Sequence, residues 1–202
     1  MPLTVRAQIV DIRADAPKDT DRFLVDTNAW YWLFYPRASQ NLSVSQALYP
    51  DYLSRALAAK ATLHCSALSF AELAHNIEKT EREIYASQAN RTISTKDFRY
   101  DYANQRRKVV TLITETWADV MSISTLLDME IGTDLMQSAL TLFPSVGLDG
   151  YDLFMAEAAR AAGMTQIVTD DGDYATVPGL TVFTANQKVI QAAQAAGKLL
   201  AR

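Results

Sequence analysis

The sequence predicts an α/β fold in which a mainly parallel central sheet is flanked by helices in a three-layer arrangement. Short apolar segments, bounded by polar residues, recur along the chain and are typical of strands buried in a parallel sheet. Segments with helical periodicity separate them, and this alternation of strands with helices favours parallel pairing. The composition supports a packed core, since 49% of the residues are hydrophobic and 21% are charged.

The predicted strands are short and mostly apolar. The first alternates loosely in polarity, and a polar segment with one proline, residues 13–21, separates it from the second. The second strand ends at Asp26 and leads into an aromatic-rich segment that stops at Pro36. In chain order, the strands are predicted at 4–12, 22–26, 62–65, 166–169 and 181–183.

The predicted helices follow from apolar residues at three- and four-residue intervals. Ser66 or Ser69 would cap the helix that contains Glu72, and Gly163 would close the almost wholly apolar helix after Asp149. The helices are predicted at 51–61, after 66, and at 98–120, 153–164 and 186–200. Neither half of the chain looks independent. We therefore expect a single domain over 22–202, with an N-terminal extension at 1–21 and a helical insertion at about 76–145.

The composition also excludes several classes of protein. A single cysteine, Cys65, cannot form an internal disulfide, and no Cys/His cluster suggests a zinc site. No apolar run approaches the roughly 18 residues of a spanning helix, and the N-terminus lacks the features of a secretory signal. We therefore expect a cytoplasmic protein without a membrane partner. A net charge of −4 argues against a general nucleic-acid coat, but it is compatible with an acidic metal site that acts on nucleic acid.

Acidic residues end or follow the predicted strands. Because ligands of parallel α/β sheets bind at the carboxyl ends of the strands, these acids should meet at one edge of the sheet. They are Asp26, Glu72, Asp152, Asp170, Asp171 and Asp173. Each acid alone also has a structural interpretation, as a turn former, a surface residue of a helix, a partner of an Asp149 cap or a member of Asx turns.

Together, the acids favour a cation site. Two carboxylates about 4 Å apart repel each other by ~4 kcal/mol at an effective dielectric constant of 20. Four converging carboxylates must therefore take up protons or bind a cation. Oxygen ligands favour Mg²⁺ or Mn²⁺ over zinc, and magnesium held by carboxylates is typical of phosphoryl chemistry.

Four segments of the sequence contain these acids: FLVDTNAW (23–30), SALSFAEL (66–73), YDLFMAEAARAAGM (151–164) and QIVTDDGDY (166–174). Together they resemble the PIN domain, a metal-dependent nuclease fold that includes the VapC-type ribonuclease toxins. In order and context, they are similar to the family's strand with Asp-Thr-Asn, its Glu on a following helix, its Asp opening a helix and its Thr-x-Asp-x-Asp-aromatic turn. The resemblance covers the core, at about 22–75 and 146–185, and leaves the extension and most of the insertion unmatched.

The resemblance implies both a site and an activity. The catalytic, metal-binding acids would be Asp26, Glu72, Asp152 and Asp171, with Asp173 as a fifth ligand and with Thr27, Asn28 and Thr169 as supporting residues. The implied function is a Mg²⁺- or Mn²⁺-dependent endoribonuclease that hydrolyses RNA by in-line attack of water. A toxin role with an antitoxin partner is implied as one option. A PIN nuclease of RNA processing and a non-catalytic interaction module are the alternatives, and a homodimer stays open.

A basic segment would supply the attraction for RNA that an acidic site lacks. Residues 91–108 carry six basic and two acidic side chains, a net charge of +4. If the helix at 98–120 is continuous, Arg99 and Arg106 share one face of it. We expect Arg99, Arg106 and Arg107 to contact RNA phosphates. The alternative is a solvated helix face with ordinary charge pairs.

Two further patterns have competing interpretations. Glu72 and His75 have the Glu-x-x-His spacing of di-iron sites, but such sites need two of these motifs and the sequence contains one, so a solvated or packed His75 is favoured. The aromatic residues of segment 27–35 either stack on bases or pack against the sheet. They are Trp30, Trp32, Phe34 and Tyr35.

Overall fold

The sheet at the centre of the molecule contains six parallel strands within residues 3–202, the part of the chain that this computed structural model describes. The strands are β1 (Gln8–Asp11), β2 (Arg22–Val25), β3 (Thr62–Cys65), β4 (Thr125–Leu126), β5 (Gln166–Val168) and β6 (Thr181–Thr184). They lie in the order β1-β6-β5-β2-β3-β4, and each neighbouring pair is parallel. The predicted fold class is confirmed. Met1 and Pro2, the start of the predicted extension, lie outside the described residues.

Helices connect the strands and cover both faces of the sheet. They are α1 (Thr27–Phe34), α2 (Pro36–Ser39), α3 (Leu48–Ala58), α4 (Ala67–Gln88), α5 (Thr95–Asp101), α6 (Ala103–Ile123), α7 (Thr133–Leu142), α8 (Gly150–Ala161) and α9 (Gln187–Ala195). Short 3₁₀ helices lie at Phe143–Ser145 and Gly172–Thr176. Within residues 3–202, no helix is long and apolar enough to cross a membrane.

Side chains of β2 alternate between two apolar cores, one on each face of the sheet. Phe23 and Val25 face a core that includes Trp30 of α1, whereas Leu24 faces a core that includes Met155 of α8. Both neighbours of β2, β3 and β5, pair with it in parallel. The residue that follows β2 therefore lies in the middle of the carboxyl edge of the sheet.

Three helices begin at this carboxyl edge, and each begins with a side-chain cap. Asp26 caps α1, Ser66 caps α4 by accepting from the Ser69 N–H, and Asp149 caps α8. Of the two serines that the sequence left open, Ser66 is the cap, and Ser69 completes the capping box. These caps satisfy N–H groups of the first turns. They place Glu72 in the second turn of α4 and Asp152 in the first turn of α8.

The predicted continuous helix at 98–120 is wrong, because the chain breaks at Tyr102 between α5 and α6. The backbone there has φ −116° and ψ 49°. The Tyr102 ring packs edge-on against Tyr85 of α4 at 5.3 Å between centroids, and Phe98 is fully buried. Because α5 and α6 both keep the apolar spacing, periodicity alone does not reveal the break.

The two ends of the described chain meet at the β1 edge of the sheet. β1, which lies within the predicted N-terminal extension, pairs along its length with β6. On its other side, the Ile9 N–H donates to the Lys198 carbonyl at 2.9 Å, and the Ile9 carbonyl accepts from the Leu200 N–H at 2.7 Å. The outer edge of β1 is therefore covered by the segment that follows α9. At the opposite edge, the two-residue β4 and the later α7 both lie in the predicted insertion.

Candidate active site

Asp26 lies at the centre of the carboxyl edge and is only 5% exposed. Its Oδ1 accepts a hydrogen bond from the Thr27 backbone N–H at 2.7 Å. Its Oδ2 accepts from Asn28 Nδ2 at 2.7 Å and from the Thr169 hydroxyl at 2.6 Å. All three residues expected to support the acids thus contact Asp26, and these charge-assisted hydrogen bonds fix the orientation of its carboxylate.

Electrostatic repulsion links the predicted acids. Burial raises the pKa of Asp26 well above its usual value, and the negative charges of Asp152 and Glu72 raise it further. Burial also raises the pKa of Asp152, to about 7, and the charges of Asp149, Asp171 and Glu72 contribute to this shift. The charge of Glu72 therefore lies close enough to disfavour the ionised forms of both Asp26 and Asp152, and the charge of Asp171 does the same for Asp152, as expected of acids that meet at one edge.

The two adjacent aspartates after β5 have different environments. Asp170 accepts a hydrogen bond from the Tyr49 hydroxyl at 2.6 Å, which ties it to α3. Asp171 donates its backbone N–H to Thr169 Oγ1 at 2.9 Å, and its Oδ1 accepts from the Asp173 N–H at 2.8 Å. The structure thus places the backbone of Asp171 in contact with Thr169, whose hydroxyl also binds Asp26. It turns Asp170 away towards Tyr49.

Asp173 is exposed at the margin of the site. Burial raises the pKa of Asp173, and the nearby charges of Asp171 and Asp149 raise it further. The Asp149 carboxylate itself accepts from the N–H groups of Tyr151 and Asp152 at 2.9 and 3.1 Å. Asp149 is therefore engaged as the cap of α8, in agreement with the structural interpretation of this residue.

Tyr174 is a site residue to which sequence reasoning assigned no role. Its side chain is fully buried, and its hydroxyl donates to Asp152 Oδ1 at 2.9 Å. Burial raises the pKa of the Tyr174 hydroxyl well above its usual value, with the charges of Asp26 and Asp152 adding to the effect. Tyr174 therefore stays protonated and remains a donor. The sequence feature that could have identified Tyr174 is its place as the aromatic residue that ends the Thr-x-Asp-x-Asp-aromatic turn.

The residues at this edge fit a divalent cation by donor chemistry and by charge. The side chains of the acids offer oxygen atoms only, the ligand type that Mg²⁺ and Mn²⁺ prefer. Buried Thr27 Oγ1 and Asn28 Oδ1 have no hydrogen-bond partner within residues 3–202, and such orphaned oxygens are suited to binding a cation or its water shell. In the described part of the chain, no group of three or more Asp, Glu, His or Cys side chains lies in an arrangement that could hold a metal ion. The fit is therefore one of donor chemistry and charge.

The three arginines predicted to contact RNA are not equivalent. Arg99 of α5 donates to both oxygens of Glu78, with Nε at 2.6 Å and Nη2 at 3.0 Å. Arg106 of α6 reaches the same carboxylate at 3.5 Å. Arg107, in contrast, donates to Asn104 on its own helix. The structure therefore brings Arg99 and Arg106 together at α4 and leaves Arg107 apart from them.

The remaining sequence patterns have packing explanations. Trp30 and Tyr35 are fully buried, which favours packing against the sheet over base stacking for these two residues. The neighbouring Trp32 packs against Tyr49 at 5.2 Å between ring centroids. Cys65 is buried at the end of β3.

Three solved structures are similar to this chain at low sequence identity. VapBC2 from Rickettsia felis, bound to a DNA fragment from its promoter, is 16% identical with a TM-score of 0.48, and the match covers 80% of this chain and 96% of that chain. FitAB bound to an IR36 DNA fragment is 14% identical with a TM-score of 0.41, over 82% and 96% of the chains. FitAcB from Neisseria gonorrhoeae is 15% identical with a TM-score of 0.40, over 82% and 99%. No curated protein sequence matches the chain.

A family model provides the decisive comparison. The model of the PIN domain matches residues 23–180. This range starts within β2 and ends just before β6, so that β1 and α9 lie outside it. It includes the acids that meet at the carboxyl edge, namely Asp26, Glu72, Asp152, Asp171 and Asp173.

Proposed function

This chain belongs to the PIN domain family, whose members are nucleases, and we propose that it is a Mg²⁺- or Mn²⁺-dependent endoribonuclease. One observation carries the proposal. Asp26 is buried and Asp152 is half-buried at the carboxyl edge of the sheet, where removal from solvent raises both pKa values and neighbouring negative charges raise them further. Carboxyl groups in this state gain from a bound divalent cation, because the cation removes the repulsion and the need for protonation.

The proposed role of the acids is to bind the divalent cation. Asp26, Glu72, Asp152 and Asp171 hold the cation, and Asp173 is an additional ligand at the margin. When bound, the cation supplies Lewis-acid activation of water and offsets negative charge on the phosphate. Thr169, Asn28 and the Thr27 N–H orient Asp26, while the Tyr174 hydroxyl fixes one oxygen of Asp152.

A cleavage assay tests the proposal directly. Purified protein should cleave single-stranded RNA with Mg²⁺ or Mn²⁺ present and stop when EDTA is added. Asp26→Asn should lower the rate by at least about 100-fold, whereas Asp119→Asn, on the exposed surface of α6, should leave it unchanged. RNA cleavage that persists in EDTA, or in Asp26→Asn, would contradict the assignment. A purified chain that binds RNA but never cleaves it would favour the non-catalytic interaction module.

A narrower role within this function is that of a toxin neutralised by an antitoxin protein. The VapBC2 and FitAB structures are DNA-bound complexes. The role has its own test, which is co-expression with any small protein encoded directly beside this chain. Formation of a stable complex that no longer cleaves RNA would assign the toxin role. Unchanged cleavage would favour a nuclease of RNA processing.

A further inference from the structure

A groove of about 400 Å³ adjoins the acid cluster and runs along α4. Side chains from three helices line it, and Glu72 belongs both to the groove and to the candidate active site. The charged and aromatic lining residues are Glu72, His75, Glu78, Arg99 and Tyr151. Glu72, His75 and Glu78 recur at three-residue intervals on α4, over a rise of about 9 Å.

Tyr151 provides an aromatic surface at the end of the groove nearest the acids. Tyr151 is 56% exposed, whereas Asp152, the next residue, is half-buried. The Tyr151 N–H donates to Asp149 at 2.9 Å, so the backbone position is fixed by the cap of α8. An exposed ring on a fixed backbone is a suitable platform for base stacking, which is tolerant of sequence because every base has a π face.

Positive charge lies at the other end of the groove. The Glu78 side chain is 8% exposed, whereas the Arg99 side chain that pairs with it is 47% exposed. Arg106 shares the same carboxylate, so that two guanidinium groups face one acid and a positive charge remains. Glu78 acts as a positioning residue, because its two oxygens hold the Arg99 fork in one orientation.

We propose that this groove binds single-stranded RNA on one side of the cleavage site, with a base stacked on Tyr151 and the next phosphate contacted by Arg99. The inference rests on the proposed nuclease function. The order of charges along the groove supports it, because the acids lie where a cation would meet the reacting phosphate, and the arginine is paired with Glu78, further along α4 than Glu72. An acidic peptide fits less well, since it carries no base to stack on the exposed Tyr151 ring.

A binding assay that is independent of cleavage can test this inference. The probe is a fluorescein-labelled single-stranded RNA, titrated with the full chain in EDTA and followed by fluorescence anisotropy. Tyr151→Ala and Arg99→Gln should each weaken binding about 10-fold, and Tyr151→Phe should stay within about twofold because the ring is retained. Arg99→Gln should also reduce the salt dependence of binding by a slope of about one, whereas Tyr151→Ala should leave that slope unchanged.

Matched controls separate the groove from the general surface. Tyr100 is 80% exposed on α5 and Arg91 is also exposed, and neither lines the groove, so Tyr100→Ala and Arg91→Gln should bind like the wild type. If Arg99→Gln lowers the melting temperature by weakening the ion pairing of Glu78, the double variant with Glu78→Gln removes one charge of each sign, keeps the wild-type net charge and should still bind weakly.

The outcomes for the groove and for the nuclease are distinct. If the groove variants bind RNA as well as their controls do, the proposed RNA-binding role of the groove is wrong, even if the wild-type chain cleaves RNA. Groove-dependent binding by a chain that never cleaves RNA would support the groove and defeat the proposed hydrolysis.

Discussion

The Thr169 hydroxyl donates a 2.6 Å hydrogen bond to Asp26 Oδ2, which joins the ends of two neighbouring strands through their side chains. The backbone makes the same connection, because the Asp26 N–H donates to the Val168 carbonyl at 3.0 Å. Thr169 Oγ1 also accepts from the Asp171 N–H at 2.9 Å. One buried hydroxyl therefore positions the central acid and the backbone of the acidic turn after β5.

Thr169→Val tests this relationship, because it keeps the shape of the side chain and removes the hydroxyl. We expect a loss of about 1–3 kcal/mol in the free energy of unfolding, since the buried carboxylate and the Asp171 N–H lose their partner. RNA cleavage should fall at least about tenfold. Chemical denaturation and the cleavage assay provide the two measurements. Thr169→Ser is the control and should retain most of both properties; a Val variant as stable and active as the Ser variant would contradict the expectation.

The raised pKa of Asp152 predicts how stability depends on pH when no divalent cation is present. Its folded value is about 7, against an ordinary value of 3.8, so the folded chain binds the extra proton between these values. Stability in EDTA should therefore fall as the pH rises from about 4 to about 7. Asp152→Asn should flatten this dependence. A wild-type melting temperature that instead rises across this range would contradict the prediction.

Divalent cation should raise the melting temperature at neutral pH, because binding to the folded state shifts the unfolding equilibrium. Asp26→Asn and Asp152→Asn should each reduce this gain, since each removes one charge that the cation offsets. Thermal melts with and without Mg²⁺ or Mn²⁺ measure the effect, and Asp119→Asn again serves as the control. The absence of any wild-type shift at tens of millimolar cation would count against the metal site.

Arg202 should contribute strongly to stability, because it bridges two buried acids. It donates to Asp15 and Asp21 at 2.6–2.8 Å and lies over the Phe183 ring at 4.5 Å. Arg202→Gln should cost about 3–5 kcal/mol, since breaking a buried pair leaves uncompensated charge. Arg13→Gln, which removes the more exposed pair with Asp11, is the control and should cost about 1 kcal/mol or less. Equal losses in urea denaturation would disprove the distinction.

The same ion pairs predict a second pH effect, of opposite sign. Burial alone would raise the pKa of Asp21, but hydrogen bonds from Arg202 and its other partners lower the pKa to about 2. The resulting stabilisation is complete above about pH 4, the ordinary value for an aspartate. It is lost as the pH falls towards 2. Arg202→Gln should therefore reduce the acid sensitivity of the melting temperature in this range.

Cys65 should be dispensable for cleavage. The thiol is buried, burial raises its pKa, and the Ser124 hydroxyl donates to its sulfur at 3.3 Å. A thiol in this state behaves as a small apolar residue of the core. Cys65→Ala should keep the cleavage rate within a few-fold of the wild type. A loss as large as that of Asp26→Asn would reveal a role for the thiol in the reaction.

Local patterns in the sequence were sufficient to place the acids. Asp26 follows a short apolar strand, Glu72 lies after a serine cap, and the acidic turn follows β5, so the rule for parallel sheets brings them to one edge. The same patterns predicted Asp149 as a cap. These features depend on neighbours within a few residues, which is why they can be derived from a single sequence.

The features that could not be predicted depend on residues far apart in the chain. Tyr49 reaches Asp170 across more than a hundred residues and distinguishes it from Asp171, a choice that the sequence made on spacing alone. The break at Tyr102 depends on packing against Tyr85, which lies on another helix. No local pattern contains these partners, because the tertiary fold selects them.

The cover over β1 has a consequence for the kinetics of folding. In the pairing of β1 with β6, Gln8 lies opposite Thr181, and on the other side of β1 Ile9 pairs with Leu199. This edge of the sheet therefore needs contacts that span almost the whole chain. Contacts of such sequence separation form slowly, because a long loop must close before they gain stability. We expect the sheet around β2, β3 and α4 to assemble first and the β1 edge to be the slow step. During that interval the unpaired edges of β1 and β6 are open to pairing with another chain, which makes refolding yield sensitive to protein concentration.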